Sequence, residues 1–180
     1  VELDYSSLHA SMLYETIKDF DLPDDFKAYQ ADISKYVTVD KNKVEEFKKN
    51  ITKALSNIKK AAPHLYATFK SFTHTIVPVN EKGIVSYSMQ SLPGYSSINM
   101  FDRDQIDLMD DILHENGHHY LNSFLNHQDL INEDDDKIYF SPWRKALRPI
   151  RGIYHASFTF YWALELFYNL DVASEKKILN

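Results

Sequence analysis

The 180-residue chain contains no cysteine. Disulfides, a thiolate metal site and a cysteine nucleophile are therefore excluded. Only four glycines are present, so few tight loops are expected. Basic residues are outnumbered, 20 Lys and Arg against 26 Asp and Glu, and the formal net charge is −6. Such a balance gives no support for a nucleic-acid or anionic-membrane partner. No apolar run approaches the ~20 residues of a membrane span, and the N-terminus lacks the basic-then-apolar pattern of a signal peptide. The cytoplasm is the expected location. Val1 in place of Met, and the helical opening of "DVASEKKILN" that stops abruptly, lead us to expect a piece of a longer protein.

What is present has the profile of a globular protein with a real core: 44% apolar and 26% charged residues, with 12 Tyr and 11 Phe. No repeat or linker interrupts it, so residues 1–180 read as one domain. The first forty residues show mixed helical patterning broken at "DFDLPDD". Asp40 then stands as an N-cap for a helix whose Val44, Phe47, Ile51, Leu55, Ile58 and Ala62 recur at helical spacing, with Pro63 ending it.

From Phe72 the period changes. "THTIVPVN", "GIVSYSMQS" and "YSSINMF" are short runs rich in β-branched and aromatic residues, punctuated by the turn signals "NEKG" and "LPG". They predict about three antiparallel strands. A helix capped by Asp102 or Asp104 follows and runs to about Asn126, with Gly117 allowing close approach to one face. "HQDLINEDDDK" reads as a solvated acidic loop. Ser141 and Pro142 stand in N-cap and N1 order, and Pro149 opens a last helix that is apolar nearly all round and so expected to be buried. The expected class is α+β, a mainly helical single domain with a small antiparallel sheet beside the central helix.

That central helix carries "HENGH": His114, Glu115 and His118. Positions i and i+4 share a helix face, so both imidazoles can meet one metal ion. A third protein ligand is needed. The remaining histidines are His9, His64, His74, His119, His127 and His155; His119 points about 100° away from His118, and His127 lies past the helix end. His155 sits within the apolar helix, where an unpaired polar ring is costly, and is the best third ligand. A zinc peptidase of the thermolysin type would take a downstream Glu, for which Glu165 is the suitably placed residue. The metzincin pattern is excluded, because neither a Gly nor a third His stands at the positions it requires after His118.

Arg144, Arg148 and Arg151 crowd just ahead of His155. Arg151 and His155 form an i,i+4 pair, and Arg148 lies seven before His155, near the same stripe. Arginine suits a bidentate grip on a carboxylate. A cationic grip beside a metal fits a small dicarboxylate that chelates with one end and is clamped at the other. Pairing of these arginines with Asp134–Asp136 or with helix carbonyls is the plainer alternative.

"LHENGHHYL" followed by "IYFSPWRKALRPIRGIYHASFTFYWA" resembles the family of H-E-x-x-H peptide-modification proteins encoded near ribosomal peptide natural products. "SYSMQSLPGYSSINM" is also similar to that family's strand before the metal helix. The resemblance covers about residues 70–170. It implies iron(II)- and 2-oxoglutarate-dependent hydroxylation of a peptide side-chain β-carbon, metal ligation by His114, His118 and His155, and 2-oxoglutarate binding by Arg144 and Arg148. Arg151 joins them on helix geometry alone.

Two chemistries compete. In the oxygenase, Glu115 orients a ligand or a bound water. In a zinc hydrolase it is the general base of water attack, and a three-histidine set is the more zinc-like one. A metal-binding or degenerate partner protein is a third reading. Either enzyme would lay an extended peptide substrate along "IVSYSMQS". The arginines separate them, because a peptidase has no need for a cationic clamp so close to its third ligand.

Overall fold

The computed structural model describes residues 2–3, 41–79, 82–83, 85–127, 131 and 137–178. The expected helix forms as α1 (Lys41–Ala61). It buries Phe47, Ile51 and Ile58 completely, as their spacing predicts, and Ala54 with them; Leu55 is half-buried, the Val44 side chain lies outside the described residues, and the described lysines face outward. The proposed cap Asp40 lies outside the described residues. α1 ends just before Pro63, as expected. Ala62 leaves the helical backbone, as a residue before proline tends to, and Pro63 then opens a second helix, α2 (Pro63–Phe72), at its first turn, where the missing N–H is no loss.

The small sheet of the expected α+β fold is present, and its pairing is mixed. With β1 (Glu2–Leu3), β2 (Thr75–Val79), β3 (Tyr87–Ser88) and β4 (Tyr95–Asn99), the order is β1-β2-β4-β3. β2 runs parallel to both β1 and β4, and β3 alone is antiparallel to β4. Reading turn signals between strands assumes that neighbours in sequence pair in space. Here the chain passes beyond the place of β4 before returning, so β3 takes the outer edge. With two residues it leaves β4 free to pair along its full length with β2.

α3 (Gln105–Leu125) is the H-E-x-x-H helix. Asp104, not Asp102, caps it: its carboxylate accepts the N–H groups of Ile106 and Asp107, and Asp107 returns the bond to the Asp104 N–H. Such a reciprocal box satisfies otherwise orphaned donors.

The segment from Ser141 is not a helix start. β5 (Ile138–Ser141) and β6 (Ala146–Pro149) form an antiparallel hairpin across a turn at residues 142–145. "IYF" favours strand, and Lys145 takes a positive φ of 50° that closes the turn and rules out a continuing helix. α4 (Ile150–Ile178) starts directly after Pro149.

α4 is not buried all round. Ala156, Thr159, Trp162, Ala163 and Leu166 face the core, while Tyr161, Leu164 and Tyr168 are 61–68% exposed. One core unites α1, α2, the sheet, α3 and α4 through Ile51, Phe69, Ile76, Ile98, Ile112, Leu113 and Leu166. Gly117 lies where α3 meets α4: a Cβ there would stand 3.0 Å from Thr159 Cγ2 and 3.6 Å from Trp162. The close approach it permits is therefore helix against helix. Gly117→Val should destabilise the fold by ~1–3 kcal/mol through overpacking, read as a lower urea midpoint at unchanged slope.

Candidate metal centre

α3 places His114 and His118 one turn apart on a face turned toward α4, with ring centroids 4.9 Å apart. α4 brings His155 to the same place: its Nδ1 lies 2.9 Å from Nδ1 of His118. Two nitrogens bound to one cation at ~2.0–2.1 Å each stand roughly 3 Å apart, so the spacing fits joint ligation. One ligating atom each of His114, Glu115 and His118 also lies within 4.8 Å of the others, a group that can hold a metal ion.

Protonation favours the same use. Burial lowers His118 to about 3, with the neighbouring His114, His155 and His119 and then Arg148 adding to it. Burial, then Arg151 and Arg148, lowers His155 to about 4. His114 is lowered by burial and by Arg144. Neutral imidazoles keep a lone pair for a cation.

Glu115 is 4% exposed and turns toward the sheet, where Ser88 Oγ donates to its Oε2 at 2.6 Å. Burial raises its carboxyl to about 7, opposed by the Ser88 hydrogen bond and assisted by Asp111. One turn earlier, Ser86 Oγ donates to Asp111 Oδ2 at 2.8 Å, and Arg103 approaches the same oxygen at 3.4 Å. Two residues along a strand span ~6.6 Å and four along a helix ~6 Å. Ser86 and Ser88 therefore meet Asp111 and Glu115 in step. Sequence reasoning missed Ser88; the available signal was that i,i+2 serine pair preceding an i,i+4 carboxylate pair.

All three arginines line one cavity of about 300 Å³ with His114, His118 and His155. They reach it by different routes: Arg144 from the hairpin turn, Arg148 from β6 and Arg151 from α4. Arg148 thus shares the site but not the helical stripe expected for it. Its guanidinium lies against Gly152, where a Cβ would be 3.2 Å from Nε. Trp143 and Phe160, edge to face at 5.5 Å, form an aromatic wall that the sequence did not single out. No Asp or Glu lines this cavity among the described residues. Asp134–Asp136 lie outside those residues.

The other candidates are elsewhere. Glu165 pairs with His64 at 2.6 Å, ~15 Å along α4 from His155 by helical rise. His119 accepts the Gly94 N–H at Nδ1 and meets Ser96 at Nε2, and His127 contacts the Ser123 carbonyl. His9 falls outside the described residues.

The chain matches no family model, and comparison with curated proteins gives no match.

In equilibrium dialysis against iron(II) or zinc, wild-type protein should take up one ion. His114→Ala, His118→Ala and His155→Ala should each lose more affinity than the ~10–100-fold typical of an outer partner. Stoichiometric metal retained in His155→Ala would give the third position to Glu115.

Proposed function

We propose that the protein is an iron(II)- and 2-oxoglutarate-dependent oxygenase that hydroxylates a peptide side chain at its β-carbon. The observation that carries this reading is the shared cavity of three neutral imidazoles and three arginines, with no carboxylate among its described lining residues. A metal-chelating dicarboxylate answers both halves of that lining; a neutral peptide bond answers only the first. The peptide and the β-carbon come from the sequence resemblance.

His114, His118 and His155 would hold the ion, nitrogen donors suited to iron and to zinc alike. Iron(II), when bound, supplies O₂ activation coupled to decarboxylation of 2-oxoglutarate, so that one oxygen atom enters a peptide C–H bond and the other leaves in succinate beside CO₂. Arg148, backed by Gly152, grips the far carboxylate together with Arg144 and Arg151. Trp143 and Phe160 line one side of the cavity as an apolar wall for the aliphatic part of the ligand. β3 has a strand partner on one side only among the described residues, and its outer edge receives the extended peptide. Glu115 acts as a positioning residue, tying β3 to the metal helix through Ser88.

One observation favours the zinc hydrolase instead. Glu115 converges with His114 and His118, and a carboxyl raised to about 7 suits a general base at neutral pH. Against it, the side chain is buried, and Ser88 occupies one of its oxygens.

Anaerobic addition of iron(II) and then 2-oxoglutarate should produce a charge-transfer band in the visible, and its absence with metal bound would overturn the oxygenase. Arg148→Ala should raise the 2-oxoglutarate requirement ~10–100-fold, the scale of a lost hydrogen bond to a charged group, measured as succinate release. Glu115→Gln should keep substantial succinate release. Peptide cleavage that ignores 2-oxoglutarate and falls ~10²–10⁴-fold in Glu115→Gln would assign the hydrolase.

A further inference from the structure

A second cavity, of about 140 Å³, lies toward the C-terminal end of α3. Its lining includes three carboxamides, Gln90, Asn122 and Asn126, and two imidazoles, His74 and His119, with no carboxylate, lysine or arginine among the described residues. The volume is well below the ~300–1,000 Å³ of a pocket for a whole small molecule and suits one side chain. His119 is committed at both nitrogens to Gly94 and Ser96. It serves as fixed wall, which argues against a metal here.

The carboxamides are only partly committed. Gln90 Nε2 donates to Asn126 Oδ1 at 2.7 Å, leaving Gln90 Oε1 as an acceptor and Asn126 Nδ2 as a donor. The Asn122 side chain forms no hydrogen bond among the described residues. A carboxylate or ammonium entering this cavity would lose water without meeting an opposite charge. An aliphatic group would leave the amides facing it unpaired. A carboxamide offers one donor and one acceptor face to the same groups.

Position supplies the link to the metal centre. Ser86 meets Asp111 and Ser88 meets Glu115, so β3 runs in the same direction as α3. Gln90 lies two residues beyond β3 and lines the second cavity. From Glu115 to Asn122 is seven residues, ~10.5 Å of helix, about three residues of extended chain.

We infer that this cavity is a specificity subsite for an Asn or Gln side chain, about three residues along the peptide from the one presented to the imidazole cluster. The inference rests on the peptide-substrate reading for its ligand, while binding here requires neither metal nor 2-oxoglutarate.

The test uses the full chain, with side-chain amide resonances followed by NMR during titration with acetyl-Gln-Ala-Ala-amide, acetyl-Leu-Ala-Ala-amide and acetyl-Glu-Ala-Ala-amide. The glutamine peptide should bind at least about fivefold tighter than the others, the scale of one net hydrogen bond. Its shifts should centre on Asn122, Asn126 and Gln90. Asn122→Leu should erase the preference, and Gln90→Met, at an exposed position, should reduce it should the first variant fold poorly. Equal binding of the three peptides, or a preference that survives both variants, overturns the subsite. A glutamine preference without the visible band upon iron(II) and 2-oxoglutarate keeps the subsite and removes the oxygenase. A band without the preference does the reverse.

Discussion

The approach of α3 to α4 at Gly117 sets the spacing on which the imidazole cluster depends. Thr159 and Trp162 pack where a side chain at position 117 would stand, and one turn earlier on α4 His155 reaches His118. Gly117 costs the helix interior about 1 kcal/mol in propensity. The return is a contact between two nitrogens on different helices, held by the core around Leu113, Trp162 and Leu166. Site geometry and core packing are thus one constraint.

The cavity that results has an unusual charge state. Burial keeps the imidazoles neutral, and the nearby guanidiniums push in the same direction. A second proton on any of these rings would face a nearby guanidinium as well as the loss of water. The lining therefore combines lone pairs suited to a cation with fixed positive charge, and the chelated dicarboxylate we propose would answer both in one complex.

The parts of this arrangement that were legible in the sequence are those with local rules. His114 and His118 follow from helical spacing, Asp104 from capping chemistry, and His155 from the cost of a polar ring on an apolar helix. The stripe Phe47, Ile51 and Ile58 follows from period alone. The hairpin of Ile138–Pro149 was obscured because Ser-Pro reads as a helix start, while the positive φ of Lys145 has no sequence mark. The parallel pairing of β2 with β4 depends on where β3 lies, a long-range matter that turn signals do not encode. The exposed side of α4 was misjudged because Tyr161, Leu164 and Tyr168 raise its hydrophobicity without entering the core. The arginines were found by proximity to His155, but Arg148 arrives from a strand.

The matched serines and carboxylates have a consequence for how the protein tolerates change. Strand and helix act there as two rulers with nearly equal divisions, and only one alignment brings both marks together. Sliding the strand by a single residue would set Tyr87 over the helix and leave Asp111 and Glu115 without their hydroxyl donors. An insertion or deletion between Ser86 and Ser88 is therefore forbidden in a way that one between Met89 and Gly94 is not, since the latter alters a turn and leaves the alignment intact. The segment over α3 can vary in what it connects to, but not in its phase.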